Sequence, residues 1–275
     1  MPELPETETI ARDLQRRVTG SRITGARVTR PDVLRNIGRR SFERRVTGAM
    51  IEHCWRRAKL IILDFSSGDR LVVQPRFTGA MLVDEGSLPE TELRYSTLRL
   101  QLADGRAVHY RDVRRLGTVE LMDPTRFEGY VGRLGVEPLT SGFTATGLHA
   151  MLRASRQPVK KVIMDQTRVV GVGNIYANEA LWRAGIDPSR AANRVSAAES
   201  ELLHEAIIAT LEQAIEARGT SLRDYRDAGG DRGDFAVRLA AYGRAGEPCL
   251  RCGSPLAGTH AVDGRASVIC YRCQR

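Results

Sequence analysis

The chain has 275 residues, of which 42% are hydrophobic and 27% charged, and it carries a formal net charge of +9 with a pI of about 9.7. That balance excludes a wholly disordered chain, and the length allows about two domains, each with its own core. No apolar run approaches the ~18 residues of a membrane span, and the opening MPELPETETI lacks the basic start and apolar core of a secretory signal.

A cytoplasmic location without membrane contact is therefore expected. The basic excess points to a polyanionic partner. Of the 42 basic side chains only three are lysines, Lys59, Lys160 and Lys161. Arginine keeps its proton and offers a planar fork, whereas lysine is a point charge whose proton affinity shifts with its surroundings. A coding bias toward arginine explains the excess and makes the retained lysines worth weighing first.

In chain order, residues 3–19 read as a helix, with Ile10, Leu14 and Val18 on one face and Gly20 just past its end. From about 22 to 122 the pattern is short strands, among them Lys59–Phe65, Leu71–Val73 and Tyr95–Leu102, which predicts a β-sandwich. A boundary falls near 130–145. Helices follow over Thr146–Ala154, Lys160–Met164, Asn174–Ala184 and Ala197–Ala217. A Gly/Asp-rich loop, Asp227–Asp234, then leads to a short terminal unit. The fold class is α+β.

The terminal unit carries Cys249-x2-Cys252, seventeen residues, then Cys270-x2-Cys273. Two such pairs supply a closed tetrahedral thiolate shell for one structural Zn2+, with no position left for water or substrate. Two disulfides or a redox pair are the competing readings. A unit of this size with so few apolar residues needs the metal to fold. Cys54 is left over and reads as a small buried hydrophobe. Arg265, in Gly264-Arg265-Ala266-Ser267, sits at the tip of a hairpin and is either a phosphate contact or a solvated arginine.

Met1 precedes a proline, and its removal would leave Pro2 with a free secondary amine. An α-amino group has a pKa of about 7.7–8.0, well below lysine, so much of it is unprotonated at neutral pH. Such an amine attacks an electrophilic carbon and forms an iminium. Glu3 is placed to move protons. The competing reading is a helix start with acidic residues in its first turn.

MPELPETE resembles the opening of the formamidopyrimidine-DNA glycosylase family, bacterial enzymes that excise oxidised bases. The resemblance continues through Arg56-Arg57-Ala58-Lys59, Asp112-Val113-Arg114-Arg115-Leu116-Gly117, Gly171-Val172-Gly173-Asn174-Ile175-Tyr176-Ala177 and Tyr242-Gly243-Arg244. It implies a catalytic β-sandwich domain led by a helix (1–132), a hinge (133–145), a helix–two-turns–helix DNA-binding domain (146–240) and a zinc-finger hairpin (241–275), with DNA between the two main domains. A monomer is expected.

The resemblance also implies roles. Pro2 attacks C1′ of the damaged nucleotide, Glu3 protonates the sugar ring oxygen, and β- then δ-elimination cuts the strand. Glu6 is a weaker candidate for the proton traffic. Lys59 lies near the lesion and its phosphate. Lys160, Asn174 and Arg265 contact the DNA backbone, and Arg114 faces the orphaned partner base. Base chemistry requires eversion from the stack. Phe77 stands where the family inserts a methionine, Gln74 replaces the usual histidine, and Leu116 replaces a phenylalanine. The stretch around Arg223, Asp224 and Tyr225 resembles the loop that caps an everted 8-oxoguanine. The expected partner is double-stranded DNA with oxidised bases or abasic sites. Oxidised purines are the expected substrates; an oxidised-pyrimidine enzyme of the endonuclease VIII type and a non-catalytic damage binder are the alternatives.

Overall fold

A computed structural model describes residues 2–275. Its first helix, α1 (Leu4–Val18), starts at a proline-containing first turn with Glu6 at the positive end of the helix dipole, and closes with Arg16 and Arg17 at the negative end. Ile10, Leu14 and Val18 are fully buried. Each such side chain stabilises the fold by about 1.5–3 kcal/mol.

The chain continues through β1 (Ile23–Val28), β2 (Leu34–Arg35), α2 (Arg39–Val46), β3 (Ile51–Arg57), β4 (Leu60–Phe65), β5 (Arg70–Gln74) and β6 (Gly79–Asp84). It goes on through α3 (Glu90–Leu93), β7 (Ser96–Leu102), β8 (Ala107–Asp112), β9 (Thr118–Met122) and α4 (Pro124–Val131). One sheet has the order β1-β7-β8-β6 and the other β2-β9-β5-β4-β3. Pairing is antiparallel except for β2 with β9. Apolar residues of both sheets and of α1 form one core, which includes Cys54 as expected. Burial pushes the Cys54 thiol up to about 12, which makes it inert.

The expectation of strands alone over 22–122 needs correction, because α2 and the short α3 interrupt them. The α2 sequence RRSFERRV hides its helix: five charges leave only Phe42 and Val46, four residues apart, to face the core.

Further along lie α5 (Ala145–Arg153), α6 (Val159–Ile163), α7 (Asn174–Ala184), α8 (Ala197–Glu216), β10 (Ala257–Thr259) and β11 (Ser267–Ile269). The four helices match the sequence pattern to within a residue or two. α7 ends at Gly185 in the left-handed region (φ 73°), where glycine carries no Cβ penalty.

The chain forms two compact units, Met1–Arg133 with Ala217–Asp234, and Leu134–Glu216 with Phe235–Arg275. Residues 217–234, which the family resemblance places in the 146–240 helical domain, group by contacts with the sandwich. The Val83 amide donates to the Ala228 carbonyl at 2.8 Å, and Tyr225 and Ala228 are buried in the sandwich core.

Candidate functional site

In the first unit the start of α1 is buried. Glu3 is 1% exposed, and Pro2 before it is also buried. The Glu6 carboxylate accepts the Glu3 amide at 2.7 Å and the Thr220 amide at 2.8 Å. Two amides, one of them more than two hundred residues away in sequence, are thereby satisfied by one charged group, a stronger arrangement than neutral pairing.

Lys59 lies in the two-residue turn that joins β3 to β4, where Arg57 pairs with Leu60. It is therefore a half-buried turn residue rather than the first residue of a strand. Arg56 braces this turn, donating to the Ala58 carbonyl at 3.0 Å and to Glu8 of α1 at 2.7 Å. Burial raises the Glu8 pKa, but hydrogen bonds and charge from Arg56 and Arg12 outweigh it and hold the carboxyl below its ordinary value.

Two loops meet beyond β5 and β8. Phe77 is 46% exposed and Leu116 is 42% exposed, so neither is core. The Arg114 guanidinium lies 5.2 Å from the centre of the Phe77 ring. The Arg114 amide donates to Thr78 Oγ1 at 3.0 Å, and that hydroxyl donates to Asp112. The loops pack so closely that a Cβ on Gly79 would lie 2.5 Å from the Pro75 carbonyl oxygen. One on Gly117 would lie 2.7 Å from that of Gln74. Only glycine fits at either position.

Arg111, buried on β8, donates to the carbonyls of Thr78 and Asp224, each at 3.1 Å. It also lies 2.7 Å from Glu92, a contact made chiefly by charge, since neither atom has a well-aligned hydrogen bond there. Arg111 thus ties the Phe77 loop to the 219–226 segment. In that segment Arg223 is exposed and Asp224 half-buried. Tyr225 is buried, with its hydroxyl donating to the Glu6 carbonyl at 3.4 Å, so it anchors the segment.

In the second unit, Gln166 knits the turn before α7. Its amide nitrogen donates to the carbonyls of Met164 and Val172 at 2.8 and 2.9 Å, and its oxygen accepts the Gly171 amide at 2.9 Å. Asn174 is the first residue of α7, and its side-chain oxygen is buried with no hydrogen-bond donor. Lys160 is only 1% exposed, and its Nζ donates to the Ala266 carbonyl at 2.8 Å and to Ser267 Oγ at 2.7 Å. Asn178 of α7 accepts the Val268 amide at 2.8 Å. Both therefore pin the hairpin that carries Arg265, which is itself exposed.

The buried Glu179 accepts the amides of Ala240, Ala241 and Tyr242 at 2.7–2.9 Å and so fixes the chain that enters this hairpin. The Sγ atoms of Cys249, Cys252, Cys270 and Cys273 lie within 4.8 Å of one another. A tetrahedral site with Zn–S of about 2.3 Å needs sulfurs about 3.8 Å apart. The Cys252–Cys270 separation of 3.4 Å is too long for a disulfide and suits a shared metal. Trp182 donates to Cys249 Sγ at 3.4 Å. Four soft donors in a closed cluster fit a structural divalent ion.

Sequence reasoning missed Arg111, Asn178 and Glu179, whose partners lie far away along the chain, and Gln166, whose partners are near in sequence but form no recognisable spacing. A backbone signal marks the neighbourhoods it did find. Among the described residues, six non-glycine residues have left-handed φ, and five of them, Ala58, Arg76, Arg115, Arg218 and Asp263, adjoin candidate segments. Strain of this kind costs about 1–3 kcal/mol per residue and gathers at functional sites.

A basic protein with a β-sandwich unit, a helical unit and a four-cysteine hairpin has the architecture of a DNA glycosylase. Residues 1–119 match the formamidopyrimidine-DNA glycosylase N-terminal domain, and residues 134–226 match the H2TH domain of formamidopyrimidine-DNA glycosylase. The formamidopyrimidine-DNA glycosylase of Desulfitobacterium hafniense is 39% identical over 276 residues, covering 100% of both chains. That of Xanthomonas euvesicatoria is 40% identical over 277 residues, again covering 100% of both. The Lactococcus lactis Fpg in complex with abasic-site DNA superposes with a TM-score of 0.90 at 32% identity, covering 99% of each chain. The wild-type L. lactis enzyme with N7-benzyl-Fapy-dG DNA gives 0.91 at 33% identity, covering 100% of each. The chain belongs to the formamidopyrimidine-DNA glycosylase family.

Proposed function

We propose that this chain is a bifunctional DNA glycosylase and abasic-site lyase that removes oxidised purines, 8-oxoguanine and formamidopyrimidines, from double-stranded DNA. The observation that carries the reading is the buried start of α1, where Glu6 holds the Glu3 amide and orients the residue that follows Pro2. After loss of Met1, the Pro2 nitrogen lone pair attacks C1′ and the base leaves with the electrons of the glycosidic bond. Glu3 gives a proton to the ring oxygen as the ring opens, and the nitrogen becomes an iminium. The iminium acidifies C2′, so loss of that proton expels the 3′ phosphate; a second elimination expels the 5′ phosphate.

Lys59, held in its turn through Arg56, serves the lesion's phosphate. Phe77, backed by Arg114, fills the space left by the everted nucleotide, and Arg114 meets the orphaned base. The 219–226 segment, with Arg223 and Asp224 near its tip, covers the everted base. Asn174, at a helix start suited to phosphate, and Arg265 hold the DNA backbone. Lys160 serves the same contact by holding the hairpin under Arg265. One Zn2+ on Cys249, Cys252, Cys270 and Cys273 fixes the hairpin when bound. The two units supply the catalytic and the duplex-holding halves, and the protein acts as a monomer on nucleoid DNA.

The test is borohydride trapping on a duplex with 8-oxoguanine opposite cytosine, beside an abasic duplex and a Pro2→Gly sample. The expected result is a covalent adduct that maps to Pro2 with both duplexes. An adduct with abasic DNA alone would move the substrate to another lesion, oxidised pyrimidines being the next panel. No adduct from protein shown by mass to lack Met1 would leave a damage binder without chemistry.

A further inference from the structure

The 217–234 segment leaves α8 through two consecutive left-handed residues, Arg218 (φ 59°) and Gly219 (φ 88°). Glycine adopts this backbone freely; arginine does so against steric resistance. The side chain shows what offsets that cost. Arg218 Nη2 donates to Asp13 Oδ2 at 2.6 Å, and the same guanidinium donates to Asp227 through Nε at 2.9 Å. The Asp13 and Asp227 side chains are 5% and 1% exposed, against 45% for Arg218, so the bridge spans two buried carboxylates from the solvent side. Asp227 also accepts the amides of Gly229 and Asp231 at 2.9 Å each, which makes it the knot of its loop.

Asp13 lies seven residues after Glu6 on α1, on the same helical face and about 10 Å further along the axis. The Glu6 carboxylate holds Thr220, and Asp13 holds Arg218. The helix that follows the candidate nucleophile thus grips this segment at two points, and the second is a charged strap.

We propose that Arg218 is a positioning residue for base excision, which straps the 219–226 segment to α1 by joining Asp13 to Asp227. The inference rests on the reading above that this segment covers the everted base. A covering loop tied to the helix of the nucleophile puts base and amine in one frame, whereas an abasic site has no base to cover. The strap therefore matters for excision and not for cleavage of a preformed abasic site.

The decisive variant is Arg218→Gly, which removes the strap and relieves the left-handed backbone, while Asp13 keeps Arg16 and Asp227 keeps the Gly229 and Asp231 amides. Three readouts are compared with wild type: hydrogen exchange of the 220–233 amides in the free protein, single-turnover excision of 8-oxoguanine opposite cytosine, and strand cleavage at an abasic site. The expected result is exchange about tenfold faster, excision about tenfold slower and abasic cleavage within about twofold. Asp13→Asn should slow excision in the wild type and add nothing in the Arg218→Gly background. Unchanged exchange, or excision and abasic cleavage falling together, would overturn the proposal. A wild type that cleaves abasic DNA but leaves 8-oxoguanine in place would overturn the substrate reading; faster exchange in Arg218→Gly would then uphold the strap but not its purpose in excision.

Discussion

Two segments poor in regular structure, the 217–234 loop and the Cys249–Cys273 hairpin, are held by opposite means. The hairpin carries its own fastener: four cysteines spaced along 25 residues converge on one point. The loop is knotted at Asp227 but has no metal-capable cluster among the described residues, and its first half is held from outside by Glu6 and Asp13 of α1 and by Arg111 of β8. A local fastener shows in the sequence as a spacing, whereas a remote one shows only as scattered charged residues. The hairpin is not wholly self-sufficient, because Lys160, Asn178 and Glu179 fix its placement against the helices.

This contrast is open to direct tests. The largest expected effect is on the hairpin's own fastener. Cys249→Ser should remove zinc and weaken duplex binding by about a hundredfold, since the metal supplies the folding energy of so small a unit. Full zinc content with unchanged binding would refute the metal assignment.

Next is the remote anchor. Glu6→Ala leaves the Glu3 and Thr220 amides without their carboxylate, a loss of about 3 kcal/mol at about 1–3 kcal/mol per buried donor. Denaturant unfolding should report it, and a change under half that size would mean the anchor is dispensable. A smaller effect is expected from Lys160→Met, which removes two hydrogen bonds to the hairpin. Zinc should stay bound while duplex affinity drops about tenfold. Zinc loss in this variant would show that the hairpin's fold, and not merely its placement, depends on α6.

The smallest effect is one of pH. Glu8, held below 4.5 by Arg56 and Arg12 against its burial, contributes stability that is fully present above that value. It is lost as pH falls through the depressed folded-state value. Glu8→Gln should flatten this part of the acid-unfolding profile; an unchanged profile would remove Glu8 as a contributor. Acid also strips a thiolate metal site by protonating its ligands, so a chelator at neutral pH should affect the hairpin and spare the loop.

Much of this protein was legible in its residues. The periodicity of Ile10, Leu14 and Val18 specifies α1, the cysteine spacing specifies a metal-capable cluster, and five separated motifs identify the family. Where local pattern and tertiary need disagreed, sequence reading failed: α2 is too charged to announce itself, and Lys59 sits in a turn braced by Arg56 and Glu8.

The sequence by itself determined which groups are candidates for chemistry, because reactivity and metal affinity belong to residue types and to short spacings. Only the tertiary structure decided what holds those groups. It grouped 217–234 with the sandwich, gave Lys160 to the hairpin, made Tyr225 an anchor and set Arg218 between two carboxylates. The physical reason is that buried donors and charges must find partners wherever the folded chain brings them, and that distance in space leaves no mark on distance in sequence.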